Sequence, residues 1–99
     1  MSLALRDSDD DTRTIAITGK FNFDLHREFR NAYIDSPARR KFVLDLRETD
    51  YLDSSALGMI LLLREYLNED DNRFRIINCN QEIRNIFAIS NIDKIIRIG

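Results

Sequence analysis

The stretch Lys41-Phe42-Val43-Leu44-Asp45-Leu46-Arg47 constrains this chain more than any other. Its apolar run is nearly continuous and only a few residues long, too short for a packed helix and typical of a strand covered on both faces. A helix signal comes soon after, over Ser54 to Glu69. There Ala56, Ile60, Leu63 and Leu67 form one stripe at helical spacing, with Met59, Leu62 and Tyr66 beside it. A core strand that feeds a helix and returns to another strand requires parallel pairing and a right-handed crossover.

The rest of the chain fits that plan. Leu3 to Arg6 reads as a short strand, Ser8 to Asp11 as a polar turn, and Thr12 to Thr18 as an alternating strand that pairs back as a hairpin and ends at Gly19. Asp24 to Ile34 carries Leu25, Phe29, Ala32 and Tyr33 at helical spacing, with Asn22 or Asp24 as its cap and Pro37 beyond its end. Phe74, Ile76 and Ile77 form another strand. Asn78 or Asn80 caps a helix through Ile89, and Ile95, Ile96 and Ile98 make a last short strand. The expected fold is a small α/β domain of order β-β-α-β-α-β-α-β, a mixed sheet with helices packed mainly on one side.

At 99 residues the length implies one domain. A net charge of −2 gives no electrostatic case for nucleic acid. No stretch approaches the apolar length needed to span a bilayer, and the N-terminus lacks the pattern of a signal peptide. A lone Cys79 cannot form an internal disulfide and fits a reducing cytoplasm. One His and one Cys make no metal cluster, no glycine-rich phosphate loop is present, and Ser55 has neither a nucleophile elbow nor an evident partner base. The expectation is a protein without cofactor or enzymatic activity. His26 reads as a surface residue, and Arg39-Arg40-Lys41 as a solvated basic loop running into a strand.

The segment that carries chemistry is Asp53-Ser54-Ser55-Ala56-Leu57-Gly58, where a strand has ended and a helix begins. Ser54 is expected to cap the helix, with Ser55 the first helical residue at the exposed tip. Plain capping would by itself account for such residues here. A phosphate on Ser55 would meet free amides and the positive end of the helix dipole, so the fold tolerates it while a partner docked there meets a new charge. Leu57 and Leu61 fall opposite the main stripe; they are either a partner contact or the flank of a broad buried face. Gly58 leaves the backbone bare close to Ser55.

Across nearly its whole length the sequence resembles the STAS domain family, and within it the anti-sigma-factor antagonists. The hexapeptide at Asp53 is close to the family's Asp-Ser-Ser/Thr-Gly/Ala-Leu-Gly. Thr18-Gly19-Lys20-Phe21-Asn22 matches the strand end, Gly and polar residue before its first helix, with Asn22 where Asp is usual. Asn78-Cys79-Asn80 through Ile89 matches a later loop and helix. Many members continue into a further helix after the last strand, which is not present here.

The resemblance implies that residues 1–99 form one STAS domain of the cytoplasm, acting by partner switching. The unphosphorylated antagonist binds an anti-sigma factor, which can also be its serine kinase, and so releases a sigma factor. Phosphorylation of Ser55 ends the interaction and a PP2C-type phosphatase restores it. The implied contact surface is Asn22, Asp24, Asp53, Ser54, Leu57, Gly58 and Leu61, with no part for nucleic acid or membrane insertion. The alternative reading is a constitutive scaffold subunit of a membrane transport or signalling complex.

Overall fold

The computed structural model describes residues 2–37 and 40–99. Arg39 of the expected basic loop lies outside them. β1 (Leu3–Asp7) and β2 (Thr12–Ile17) form the hairpin, with Leu3 opposite Ile17 and Asp7 opposite Arg13. β3 (Gly19–Phe21) is next, then a 3-10 turn (Phe23–Leu25) that runs into α1 (His26–Tyr33). β4 (Lys41–Asp45) and β5 (Thr49–Leu52) precede α2 (Ser54–Tyr66). β6 (Phe74–Ile77), α3 (Gln81–Ile89), a second 3-10 turn (Ile92–Lys94) and β7 (Arg97–Ile98) complete the order.

β1-β2-β4-β6-β7 make a five-stranded sheet, antiparallel only between β1 and β2. The mixed sheet and its three helices match the expected α/β class. Ile15, Ile17, Phe42, Leu44, Phe74 and Ile76 point to one face and join the main core. Phe29, Ala32 and Tyr33 of α1, Ala56, Ile60 and Leu63 of α2, and Ile83 and Phe87 of α3 pack into the same cluster.

Three expectations need correction. β3 and β5 form a separate two-stranded parallel sheet, where the residue pattern suggests only a strand end and a loop. β7 begins at Arg97 rather than Ile95, because Ile92–Lys94 turn first. Val43 is 6% exposed yet stands outside the main core. It lines a groove with Arg6, Thr14 and Arg75, so long polar side chains rather than a helix cover it.

Two contacts fix the frame. The Arg13 guanidinium grips Asp7 through bonds of 2.7 and 2.9 Å and also donates to the Ala32 carbonyl at 3.0 Å, tying the hairpin to the end of α1. The Arg13 bond holds the Asp7 carboxyl below its usual range, with Arg40 adding to the effect. Tyr33, near the end of α1, packs edge-on against Tyr66 at the end of α2, ring centres 5.2 Å apart. The Tyr66 hydroxyl also accepts the Asp35 amide at 2.9 Å. Both helices therefore end together, and their N-termini lie at the same edge of the sheet.

Candidate functional site

The chain leaves β2 through Gly19, whose φ of 82° lies in the left-handed region that glycine enters freely. The Gly19 amide donates to the Glu48 carbonyl at 2.9 Å, and the Thr49 hydroxyl to the Ile17 carbonyl at 2.7 Å. The first bond joins the β3 and β5 segments, and the second moors β5 to β2 of the main sheet. In that small sheet Phe21 pairs with Leu52. The next residues, Asn22 and Asp53, thus emerge side by side, one capping the 3-10 turn and the other capping α2.

Asn22 Oδ1 accepts the Asp24 amide at 3.0 Å at the start of the Phe23–Leu25 turn. Asp53 Oδ1 accepts the Ala56 amide at 3.0 Å at the start of α2. Asn80 caps α3 on the Ile83 amide at 2.9 Å, and its Nδ2 reaches the Thr49 carbonyl at 3.4 Å. Three capped N-termini share the carboxyl edge of the parallel strands, where open α/β sheets place their sites.

Asp53, not Ser54, is the cap of α2. Both are capping types at consecutive positions, and the carboxylate wins with two bonds: Ser55 Oγ also donates to Asp53 Oδ1, at 2.6 Å. That hydroxyl bond, and then the Ala56 amide, hold the Asp53 carboxyl below its ordinary range. Ser54 is the exposed first helical residue, and Ser55 is half-buried one position on.

Ser55 stands eleven residues before Tyr66, about three turns, so both lie on the flank of α2 that faces α1. Ser55 therefore lies on the flank turned toward α1, the helix that Asn22 and Asp24 precede. On the helical rows leading from Ser55 and Ser54, Gly58, Leu61 and Leu62 are exposed, Leu62 by 58%. Leu62 was expected beside the core. Leu57 stands one turn before Leu61 on the flank away from Leu62; it is half-buried against the core, while Leu61 is 40% exposed. A Cβ added at Gly58 would meet nothing within 4 Å, so packing does not require glycine there.

Two further aromatics, not expected from the sequence, stand at this edge. Phe23 is 60% exposed and stacks on His26, ring centres 4.1 Å apart, while Nδ1 of that exposed histidine lies 2.9 Å from the Phe23 carbonyl oxygen. Tyr51 is 52% exposed beside Lys20. The position of Phe23 between Asn22 and Asp24, with no apolar neighbour at helical spacing on its side, was the available signal. Cys79, close by in the chain to Asn80, is half-buried, and burial pushes its thiol up.

Residues 4–97 match the family model described as "Mlab, STAS domain". The chain belongs to the STAS domain family. It is 44% identical over 97 residues to a STAS-domain containing protein of Pseudomonas aeruginosa (strain UCBPP-PA14), covering 97% of this chain and 96% of that one. An anti-sigma factor antagonist from Mycobacterium paratuberculosis shares the fold at a TM-score of 0.80 and 19% identity, covering 97% and 82% of the two chains. The Bacillus cell-fate determinant SpoIIAA in its phosphorylated form shares it at 0.69 and 16%, covering 98% and 90%. No helix among the described residues of this STAS domain is long and apolar enough to cross a membrane.

Proposed function

We propose that this STAS domain is an anti-sigma factor antagonist switched by phosphorylation of Ser55. Unphosphorylated, it binds an anti-sigma factor over the carboxyl edge of the sheet and so releases a sigma factor. A serine kinase, which can be the anti-sigma factor itself, turns it off, and a PP2C-type phosphatase restores it. The fold it shares with anti-sigma factor antagonists supports this reading, as does the family motif at Asp53–Gly58. It acts as a binding module of the cytoplasm rather than an enzyme.

One observation carries the switch: the 2.6 Å bond from Ser55 Oγ to the capping carboxylate of Asp53. A phosphoryl group replaces the proton donated in that bond. The new dianion then faces a carboxylate, so the ester swings away from Asp53 and toward whatever is docked beyond it. Asp53 keeps the Ala56 amide, so α2 stays capped. The free amides of the first turn offset part of the added charge. The domain survives while its surface gains negative charge. The footprint comprises Asn22, Asp24, Asp53, Ser54, Gly58 and Leu61, extended by Phe23 and Leu62; Leu57 contributes from the flank.

A tagged pull-down with wild type, Ser55→Ala and Ser55→Asp tests this. Wild type and Ser55→Ala should retain an anti-sigma factor, Ser55→Asp should lose it, and mass spectrometry should find the phosphate on Ser55. The exposed Leu61, Leu62 and Tyr66 favour a second reading, a constitutive scaffold subunit of a membrane transport or signalling complex, since an apolar patch binds without a switch. A transporter subunit retained equally by all three forms would establish that reading instead.

A further inference from the structure

The sheet face away from the helices carries a row of residues in lateral register. Arg6 pairs with Thr14, Thr14 with Val43, Val43 with Arg75, and Arg75 with Arg97. The row crosses all five strands of the main sheet, with arginine at one end and two adjacent arginines at the other. Its middle is tight: Thr14 and Val43 are 7% and 6% exposed, while all three arginines are exposed. A groove of about 430 Å³ runs along it past Arg6, Thr14, Val43 and Arg75. A second cavity of about 190 Å³ opens beside Lys41, Arg73, Arg75 and Arg97.

Like charges directly opposite on neighbouring strands oppose folding. Among the described residues, no carboxylate forms an ion pair with Arg6, Arg75 or Arg97. Asp45 is the acidic residue of the next row, paired across to Ala16 and Ile77, and its Oδ1 already accepts Asn78 Nδ2 and the Arg47 amide, both at 3.0 Å. The protein thus keeps three arginines without an ion pair among the described residues, on a face its helices leave open, with Asp9, Asp10 and Asp71 at the cavity margins.

We propose that this open face is a second docking surface, separate from the Ser55 edge, for an extended acidic segment of a partner protein. Arg6 and Arg75 stand three strands apart, about 14 Å at the usual strand spacing. An extended peptide covers about that distance in four residues, with alternate side chains on one face. The complementary segment is therefore Glu-x-Leu-x-Glu: one carboxylate on Arg6, a leucine over Thr14 and Val43, and a second carboxylate in the Arg75–Arg97 fork. Arginine suits that role because its planar fork binds carboxylates in a bidentate manner. A flat anionic membrane fits less well, because it would press against Asp9, Asp10 and Asp71 at the cavity margins all at once, whereas a single strand can follow the arginines alone.

The test is fluorescence anisotropy at low salt with the fluorescein-labelled peptide Ser-Glu-Ser-Leu-Ser-Glu-Ser-Glu-Ser. Wild type should bind saturably and more weakly as salt rises. Arg75→Glu/Arg97→Glu should lose about tenfold or more. The neutral pair Arg75→Gln/Arg97→Gln, which guards against disruption by reversed charge, should lose less but measurably. Lys94→Glu, on an exposed turn, and Ser55→Asp should match wild type, so failure of the Ser55 switch and failure of this surface are read separately. The proposal is overturned by no saturable binding at millimolar protein, by equal binding of a peptide with Lys in place of Glu, or by arginine variants that are folded by circular dichroism yet bind as wild type. Capture of the protein by phosphatidylserine vesicles without peptide binding would assign the face to lipid and overturn it as well.

Discussion

Ser55 Oγ donates to Asp53 Oδ1 at 2.6 Å, and that same carboxylate oxygen accepts the Ala56 amide that begins α2. The proposed acceptor of a phosphate is thus held by the group that holds the helix. A change at Ser55 acts on a carboxylate whose position is fixed by the fold. Stability and the proposed switch therefore meet at one atom, and substitutions can separate them.

Asp53→Ala removes the cap and the partner of Ser55 together. Loss of an N-cap costs about 1 kcal/mol. Urea unfolding should show a lower midpoint with an unchanged slope. Asp53→Asn retains an acceptor and should recover most of the loss.

Acid should weaken the fold through two carboxylates. Asp53 and Asp7 are both held below the ordinary range, by Ser55 and Arg13 respectively. A depressed folded value favours the native state above the unfolded carboxyl value of about 3.9, and the advantage disappears as pH falls through the folded values. Urea midpoints should be flat from pH 7 to about 5 and then decline on acidification. In Asp7→Asn/Asp53→Asn that decline should be shallower.

Gly58 is exposed in the middle of α2, with open space around it. Gly58→Ala should therefore raise stability by about 0.5–1 kcal/mol through helix propensity alone. If the bare backbone serves partner approach, the same variant should bind the anti-sigma factor more weakly despite its higher melting temperature. The two readouts moving in opposite directions would separate function from folding.

Leu62→Glu should leave stability within about 0.5 kcal/mol of wild type, as an exposed position does. Leu57→Glu should destabilise markedly, because Leu57 packs against the core. Of the two, Leu62→Glu should selectively reduce partner retention.

Much of this was legible in the residues. The run at Phe42–Leu46, the stripe of α2 and the hairpin turn at Ser8–Asp11 set the element order, because each carries its own periodicity or turn chemistry. The β3–β5 pair was not legible. Asp50 and Tyr51 are exposed and Gly19 resembles a terminator, so neither segment shows an apolar alternation. Its stability comes from Thr49, Gly19 and their carbonyl partners, which are distant in sequence. The cap of α2 differs by one residue from the sequence expectation because Asp53 and Ser54 have similar capping preference, and the bonds that Asp53 accepts from Ala56 and Ser55 separate them. Leu62, expected beside the core stripe, is exposed; periodicity gives a helix face but not the width of the layer that covers it. Phe23 carries no periodic signal at all.

Charge on Ser55 is expected to control the partner at the carboxyl edge. The most direct measurement is the affinity of purified wild type and Ser55→Asp for the anti-sigma factor recovered with the wild-type protein, by isothermal titration calorimetry. The prediction is a loss of at least about 2 kcal/mol, as expected for an uncompensated charge at an interface, with circular dichroism and melting of the two forms alike. Equal affinities, with both forms folded, would contradict it.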